Sequence, residues 1–192
     1  MLTRNLPRLF YVLPLVALFL LTPGCKYFKR AEDTQLKEAN KLESEADALS
    51  AKVDDDYKQA AQKDEEIIAA KKEKARIKKL SDEQLALYDQ AARDARDAAD
   101  KYEQASKLKI EAKYQEYLNL RGQYMRKHGA HIAALKEIIA ARLEAKPGKA
   151  SRDKQAEAKT RSERLKKEMD ELKAQADKLQ KENGDKYKAA SS

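Results

Sequence analysis

The sequence predicts an all-α protein, folded as an elongated antiparallel three-helix bundle with coiled-coil packing. Charged residues make up 39% of the 192 residues, whereas there are only 5 Gly, 4 Pro and no Trp. Long stretches without Gly or Pro carry apolar residues at three- and four-residue steps, which is the period of a helix face. Large apolar side chains are too few for a thick core, so we expect no compact α/β or β domain.

The first predicted helix spans residues 31–79, which contain neither Gly nor Pro. At about 1.5 Å per residue it would be roughly 75 Å long, so it needs a partner helix to bury its apolar face. Many of the apolar positions are alanine, which predicts close packing against that partner. The seam consists of Leu36, Ala39, Leu42, Ala46, Leu49, Val53, Tyr57, Ala60 and Ile67.

A helix boundary is predicted near residue 80. Ser81 as N-cap and Gln84 three residues later form a capping box. Leu80 and Leu85 form the hydrophobic staple around it. The basic residues of 71–79 come just before, where the negative end of the first helix would lie. We interpret this boundary as the tip of an antiparallel hairpin, and a continuous helix through this point is the alternative.

The second predicted helix spans residues 82–146 and ends where Pro147 and Gly148 stop it. Gly122 and Gly129 interrupt its pattern, and each costs about 1 kcal/mol relative to Ala in a helix interior. We therefore expect the helix either to bend at these glycines or to continue through them.

The third predicted helix spans residues 151–183 and has the cleanest heptad pattern, with Leu165, Leu172 and Leu179 at one core position. Asn183 followed by glycine is a predicted C-cap. The bundle would then occupy residues 31–184, and residues 185–192 are expected to be a disordered tail.

Residues 1–24 have the pattern of a secretory signal peptide. Arg4 and Arg8 precede an apolar run at 9–21, and a small, turn-prone Thr-Pro-Gly segment follows. The run is about thirteen residues long, whereas a membrane-spanning helix needs roughly twenty. A permanent transmembrane helix is therefore the weaker interpretation.

The Gly24-Cys25 pair, which contains the sole cysteine, resembles the end of the lipobox of bacterial lipoproteins. Thr22 stands where that family usually has a Leu-like residue, and Pro23 stands where it usually has a small or β-branched one. The resemblance implies cleavage between Gly24 and Cys25, and a covalent acyl diglyceride lipid on Cys25 with no other cofactor. An ordinary secreted protein and an uncleaved N-terminal anchor are the alternatives.

The resemblance also implies an extracytoplasmic, membrane-anchored protein, with residues 25–30 as a lipidated linker close to the membrane. In enteric bacteria this family uses Asp after the lipid-bearing Cys to retain proteins in the inner membrane, but Lys26 stands there in this chain. That difference favours the outer membrane if the organism has two membranes. The helical body is loosely similar to helical lipoproteins of the cell-wall-binding kind.

No catalytic motif is recognisable, so we expect a protein that is not an enzyme. The net charge is +8, or +6 without Arg4 and Arg8, but both signs are interleaved, which is typical of a solvated helix surface and does not favour a nucleic-acid partner. His128 and His131 share one helix face by their spacing. Because zinc sites need three or four protein ligands, we expect both to be polar surface residues without a metal.

The basic segment after the first seam is the predicted contact for an acidic partner, such as peptidoglycan or an envelope protein. Its cations are Lys71, Lys72, Lys74, Arg76, Lys78 and Lys79. The predicted function is a structural or interaction protein of the cell envelope that projects a coiled-coil bundle from the membrane, with oligomerisation through the coiled coil as a further expectation. The alternative is a periplasmic holdase chaperone for unfolded envelope proteins.

Overall fold

A computed structural model describes residues 24–70, 73–144 and 148–188, and the side chains within 32–70, 73–144 and 148–184. These residues form four helices, α1 (Gly24–Ala69), α2 (Lys74–Ser106), α3 (Ala112–Leu143) and α4 (Lys149–Lys188), and no strand. The all-α prediction is confirmed, whereas the count of three helices is wrong because the second predicted helix is divided into α2 and α3. The predicted signal residues 1–23 lie outside the described part of the chain.

Consecutive helices run antiparallel. Lys101 of α2 pairs with Glu45 of α1, Lys136 of α3 with Asp89 of α2, and Lys127 Nζ of α3 lies 2.6 Å from Glu168 Oε2 of α4. As a result, α1 and α3 run parallel, and residues 74 positions apart hydrogen-bond across them, at Tyr57–His131, Asp47–Arg121 and Asn40–Tyr114. The bundle therefore has two distinct ends.

We call the end with the start of α1 and the 107–111 connection the near end. The other end, with the 70–73 connection and the start of α4, is the far end. Within the described residues, no helix combines the length and the apolar character needed to cross a membrane.

The alanine-rich seam of α1 is buried as predicted. Four of its positions, spaced by seven residues, have no exposed surface: Ala39, Ala46, Val53 and Ala60. The helix packed between α1 and α3 is α2, and it contributes five fully buried alanines: Ala91, Ala95, Ala98, Ala99 and Ala105. Small side chains on both surfaces let the helix axes approach closely, so the core is narrow and long.

Gly122 and Gly129 do not end or break the helix, since α3 is continuous through both. A Cβ atom at Gly122 would lie 3.2 Å from Glu103 Cγ and 3.5 Å from the Ala99 carbonyl oxygen of α2. A Cβ atom at Gly129 would meet Ala95 Cβ at 3.6 Å, which is ordinary van der Waals contact. Gly122 therefore serves close packing of α3 on α2, while the site at Gly129 has room for a methyl group.

These distances predict opposite effects of enlarging the two glycines. Gly129→Ala should raise the free energy of unfolding by up to about 1 kcal/mol, because alanine is the better helix former and the methyl group fits. Gly122→Leu should lower it by about 1–3 kcal/mol through overpacking. Urea unfolding followed by circular dichroism measures both changes, and a stabilised Gly122→Leu variant would contradict the close packing.

The first turn lies between Ala70 and Glu73, ahead of the predicted boundary near residue 80. Ser81 is buried in the interior of α2 and is no N-cap, and Glu73 at the true start makes no side-chain capping bond. Gln84 Nε2 donates to the Ala60 carbonyl oxygen at 2.9 Å. That bond pairs the start of α2 with the end of α1 and places Ser81 inside α2, so tertiary packing overrides the local capping motif.

A second turn, at residues 107–111, was not predicted, because the segment contains no Gly or Pro. The turn brings Tyr102 of α2 and Arg121 of α3 to the same residue of α1, because Asp47 accepts hydrogen bonds from both. These donors would be about 28 Å apart along one continuous helix, so the chain must reverse between them. Leu108 packs against the core, and its carbonyl oxygen accepts a 2.6 Å bond from Gln115 Nε2.

Both ends of the bundle extend further than predicted. The backbone of residues 25–30, the predicted linker, belongs to α1, and α4 continues to Lys188 into the predicted tail, of which 189–192 lie outside the described residues. Asn183 is not a C-cap, because its Nδ2 donates at 3.1 Å to the Leu179 carbonyl oxygen one turn earlier. That bond and the burial of Asn183 keep the helix regular past the predicted stop.

Candidate functional site

The two histidines are buried, so the prediction that they are surface residues is wrong. His128 is 4% exposed and His131 is 5% exposed, on the face of α3 that meets Tyr57 of α1. The ring of His131 contacts Tyr57 of α1 on one side and Ser162 of α4 on the other. Spacing alone placed the two rings on one helix face, but it could not show that α4 and α1 would cover that face.

The histidine rings are held in their neutral form. His131 Nδ1 lies 3.1 Å from the Ser162 carbonyl oxygen, and its Nε2 lies 3.3 Å from Tyr57 Oη. A neutral ring that donates from Nδ1 and accepts at Nε2 satisfies both contacts. Burial lowers the pKa of His131. Burial also lowers the pKa of His128 to about 4, against the opposing attraction of Asp54.

The His128 ring packs edge-on against Tyr57 at 5.6 Å between centroids and lies 5.8 Å from the Tyr124 ring. Its buried Nδ1 has no hydrogen-bond partner in the described part of the chain. Across the same described residues, no group of three or more His, Cys, Asp or Glu side chains could hold a metal ion. The geometry thus supports a packing role for the histidines.

A second polar cluster joins three helices toward the near end. Arg121 Nη2 of α3 donates to Asp47 Oδ1 of α1 at 2.9 Å and to Tyr102 Oη of α2 at 2.6 Å. The Arg121 guanidinium also lies 5.1 Å from the centre of the Tyr102 ring. Tyr102 itself donates to Asp47, and burial raises its pKa, so the phenol keeps its proton. This cluster holds α1, α2 and α3 in register.

The neighbouring pair Tyr114 and Tyr117 completes this cluster. Their rings stack with centroids 6.3 Å apart, and Tyr114 Oη donates to Asn40 Oδ1 at 2.7 Å and also contacts Glu43. Burial raises the pKa of Glu43, and the hydrogen bond from Tyr114 opposes that rise. The sequence did not reveal the carboxylates that these tyrosines meet.

The structure places the basic segment at the far end, in the first turns of α2. Lys78 Nζ lies 3.0 Å from Asp82 Oδ2, and Lys79 Nζ lies 3.9 Å from Glu83 Oε1. The side chains of Lys78, Lys79 and Asp82 are more than half exposed. The prediction that these cations close the first helix is wrong, because they open the second. The positive end of the α2 dipole therefore adds to their charge instead of offsetting it. Lys71 and Lys72 lie outside the described residues.

Cations are dense in two segments at the far end. Among the described residues, 73–82 contain four basic and two acidic residues, and 148–155 contain three basic residues and one acidic residue. Asp64, Glu65 and Glu66 in the last turns of α1 offset part of this charge. The start of α4 lies at the same end, with Lys149 and Arg152 in its first turn. Beside these cations Ile68 is 72% exposed, the one large apolar side chain exposed in the described ranges. We call Lys74, Arg76, Lys78, Lys79, Lys149 and Arg152 the far-end basic patch.

Comparisons of the chain with protein-family models, with curated proteins and with solved structures found no match. The assignment of a role therefore depends on the charge, burial and geometry of the described residues.

Proposed function

We propose that the protein is a lipid-anchored structural or interaction protein of the bacterial cell envelope. It is held to a membrane through Cys25 and presents the far-end basic patch to an acidic envelope component. One observation carries the proposal: α1 is a single helix of 46 residues that has Cys25 at its first turn and ends beside the basic patch. At about 1.5 Å per residue, this helix separates the two features by roughly 68 Å.

The sequence around Cys25 supports the anchor. Gly24-Cys25 follows an apolar run that is too short to span a bilayer and resembles a lipoprotein processing site. Lys26, Lys29 and Arg30 follow the cysteine, and each adds about 1 kcal/mol of attraction to an anionic lipid surface. Because Lys26 replaces the retention signal of the family, we place the protein in the outer membrane of an envelope with two membranes.

The packing of the bundle supports the role of a spacer. Fully buried alanines along α1 and α2 and a chain of contacts between α1 and α3 run most of the way from the near end to the far end. Near the far end, Arg142 Nη1 of α3 lies 3.1 Å from Asp64 Oδ1 of α1. A helix held along its length by two neighbours resists bending, so the anchor and the patch stay apart.

The charge of the far end indicates an acidic partner, such as the carboxylates of peptidoglycan or an acidic envelope protein. Lys74, Arg76, Lys78 and Lys79 are exposed and lie at a positive helix terminus. Contacts of this kind are screened by salt, because they are made in water. Binding should therefore weaken steeply as the ionic strength rises.

Sedimentation with purified peptidoglycan sacculi tests the contact. Replacing Lys74, Arg76, Lys78 and Lys79 together by Gln should weaken the binding of the full chain at least about tenfold, because the main cations are lost. The matched control replaces Lys167, Lys173, Lys178 and Lys181 of α4 by Gln, which removes the same charge elsewhere and should leave binding nearly unchanged. Equal loss in both variants would mean that net charge, and not the far-end basic patch, carries the interaction.

A further inference from the structure

A cleft of about 670 Å³ opens at the far end between α1 and α4, with walls from all four helices. This volume is within the range of sites that bind small molecules or short peptide segments. The floor of the cleft is apolar and is formed by Leu135, Ile138, Ile139 and Tyr88. The histidine cluster borders the cleft through Tyr57, and Arg152 belongs both to the cleft and to the far-end basic patch.

Gln84 gives the floor an unsatisfied hydrogen-bond acceptor. The side chain is 2% exposed, and its Nε2 donates to the Ala60 carbonyl oxygen at 2.9 Å, which fixes the orientation of the amide. Gln84 lines the cleft, and its Oε1 is buried and has no partner among the described residues. Leaving a buried acceptor unpaired costs about 1–3 kcal/mol, so a ligand with an N–H or O–H donor gains from meeting it.

The rim of the cleft is cationic. Arg142 is paired with Asp64 at 3.1 Å, whereas Arg152 and Lys159 of α4 have no ion pair with any described residue. One further carboxylate, Glu163, lines the site, so the free charge at the rim is positive. Such a rim favours a carboxylate at the mouth of an apolar floor.

Three features of the cleft together select the ligand chemistry. An apolar peptide that ends in a free carboxylate offers side chains for the floor, backbone N–H donors for Gln84 Oε1 and a negative end for Arg152 and Lys159. A fatty acid matches the floor and the rim, but its carboxylate and alkyl chain have no donor for Gln84. We propose that this cleft binds the apolar C-terminal segment of another polypeptide. This inference goes beyond the proposed function and does not depend on the anchor at Cys25.

Fluorescence polarisation tests the proposal. The purified full chain is titrated into a fluorescein-labelled tetrapeptide of leucine and alanine with a free carboxylate. The same peptide with an amidated C-terminus is the first control. We expect saturable binding of the acid and at least about tenfold weaker binding of the amide, because the amide has no charge for the rim.

Two variants separate the parts of the site. Arg152→Gln with Lys159→Gln should weaken the acid peptide about tenfold and leave the amide peptide unchanged, since both side chains are exposed at the rim. Gln84→Met should weaken both peptides while circular dichroism shows the same helical content. Lys167→Gln with Lys181→Gln, which changes two exposed cations elsewhere on α4, should keep wild-type affinity.

Three results would overturn the proposal. The first is the absence of saturable peptide binding, and the second is equal affinity for the acid and the amide. The third is displacement of the peptide by dodecanoate at a lower concentration than by unlabelled peptide, which would assign the cleft to a lipid. The rim variants remain informative if Gln84→Met fails to fold, because both rim side chains are exposed.

Discussion

Acidification from pH 7 to pH 5 is expected to lower the free energy of unfolding by about 2 kcal/mol through His128 alone. The ring is buried between Tyr57 and Tyr124, and burial lowers its pKa from the usual 6.5 to about 4. Above pH 6.5 both folded and unfolded chains hold a neutral ring, so the stability is fully present. As the pH falls from 6.5 toward 4 the unfolded chain takes up the proton first, so stability is lost.

His128→Phe tests this expectation, because phenylalanine keeps an aromatic ring beside both tyrosines and cannot be protonated. The free energy of unfolding, measured with urea at pH 7 and at pH 5, should change by about 2 kcal/mol less in the variant than in the wild type. Burial also lowers the pKa of His131, so the free energy of unfolding of the variant still falls on acidification, but by less than that of the wild type. Burial raises the pKa of Glu43 above its usual 4.5. The contribution of Glu43 to the free energy of unfolding is therefore lost as the pH rises, which is opposite to the effect of the histidines. An unchanged pH dependence in His128→Phe would show that the ring is not buried in the neutral form.

Tyr102→Ala is expected to lower the free energy of unfolding by about 3–5 kcal/mol, the largest effect of a single substitution that we predict. The side chain is fully buried and meets Asp47 of α1 and Arg121 of α3 from its place on α2. Removing it leaves a cavity and takes one hydrogen-bond partner from the partly buried Arg121 guanidinium. The free energy of unfolding should fall more in this variant than on substitution of any single buried alanine of the α1 seam.

Tyr102→Phe separates the two causes, because it keeps the ring and removes only the hydroxyl group. We expect a loss of about 1–3 kcal/mol for this variant. The control is Ile68→Ala, which truncates an exposed side chain and should change stability by less than about 0.5 kcal/mol. Urea unfolding measures all three, and a loss in Tyr102→Ala no greater than that in Ile68→Ala would refute the junction of three helices at Tyr102.

The sequence predicted the helical class and the seam well, because both follow from local composition and period. Ala39, Ala46, Val53 and Ala60 repeat every seven residues and are all buried. The sequence failed where tertiary packing decides. Ser81 has the local pattern of an N-cap, but packing of α2 against α1 places it inside a helix. At Gly122 the sequence left a bend and a continuous helix open, and the structure shows a continuous α3 whose backbone approaches Glu103 of α2 closely.

The candidate site was predictable only in part. The basic segment was visible as a run of cations, but its place at the start of α2 depends on a turn that no local motif marks. The cleft could not be inferred, because it combines Gln84 of α2, Ile138 of α3 and Arg152 of α4, which are far apart in the chain. Burial of His128 likewise requires knowledge of how α1 covers α3.

The most direct test of the anchored-spacer proposal is acylation at Cys25. Cells that express the full chain are fed an alkyne-labelled palmitate, and the protein is then partitioned with Triton X-114, in parallel with Cys25→Ala. The proposal predicts that the wild type carries the label and enters the detergent phase, and that Cys25→Ala loses both properties while keeping its helical content. Equal labelling and equal partitioning of the two proteins would contradict the lipid anchor.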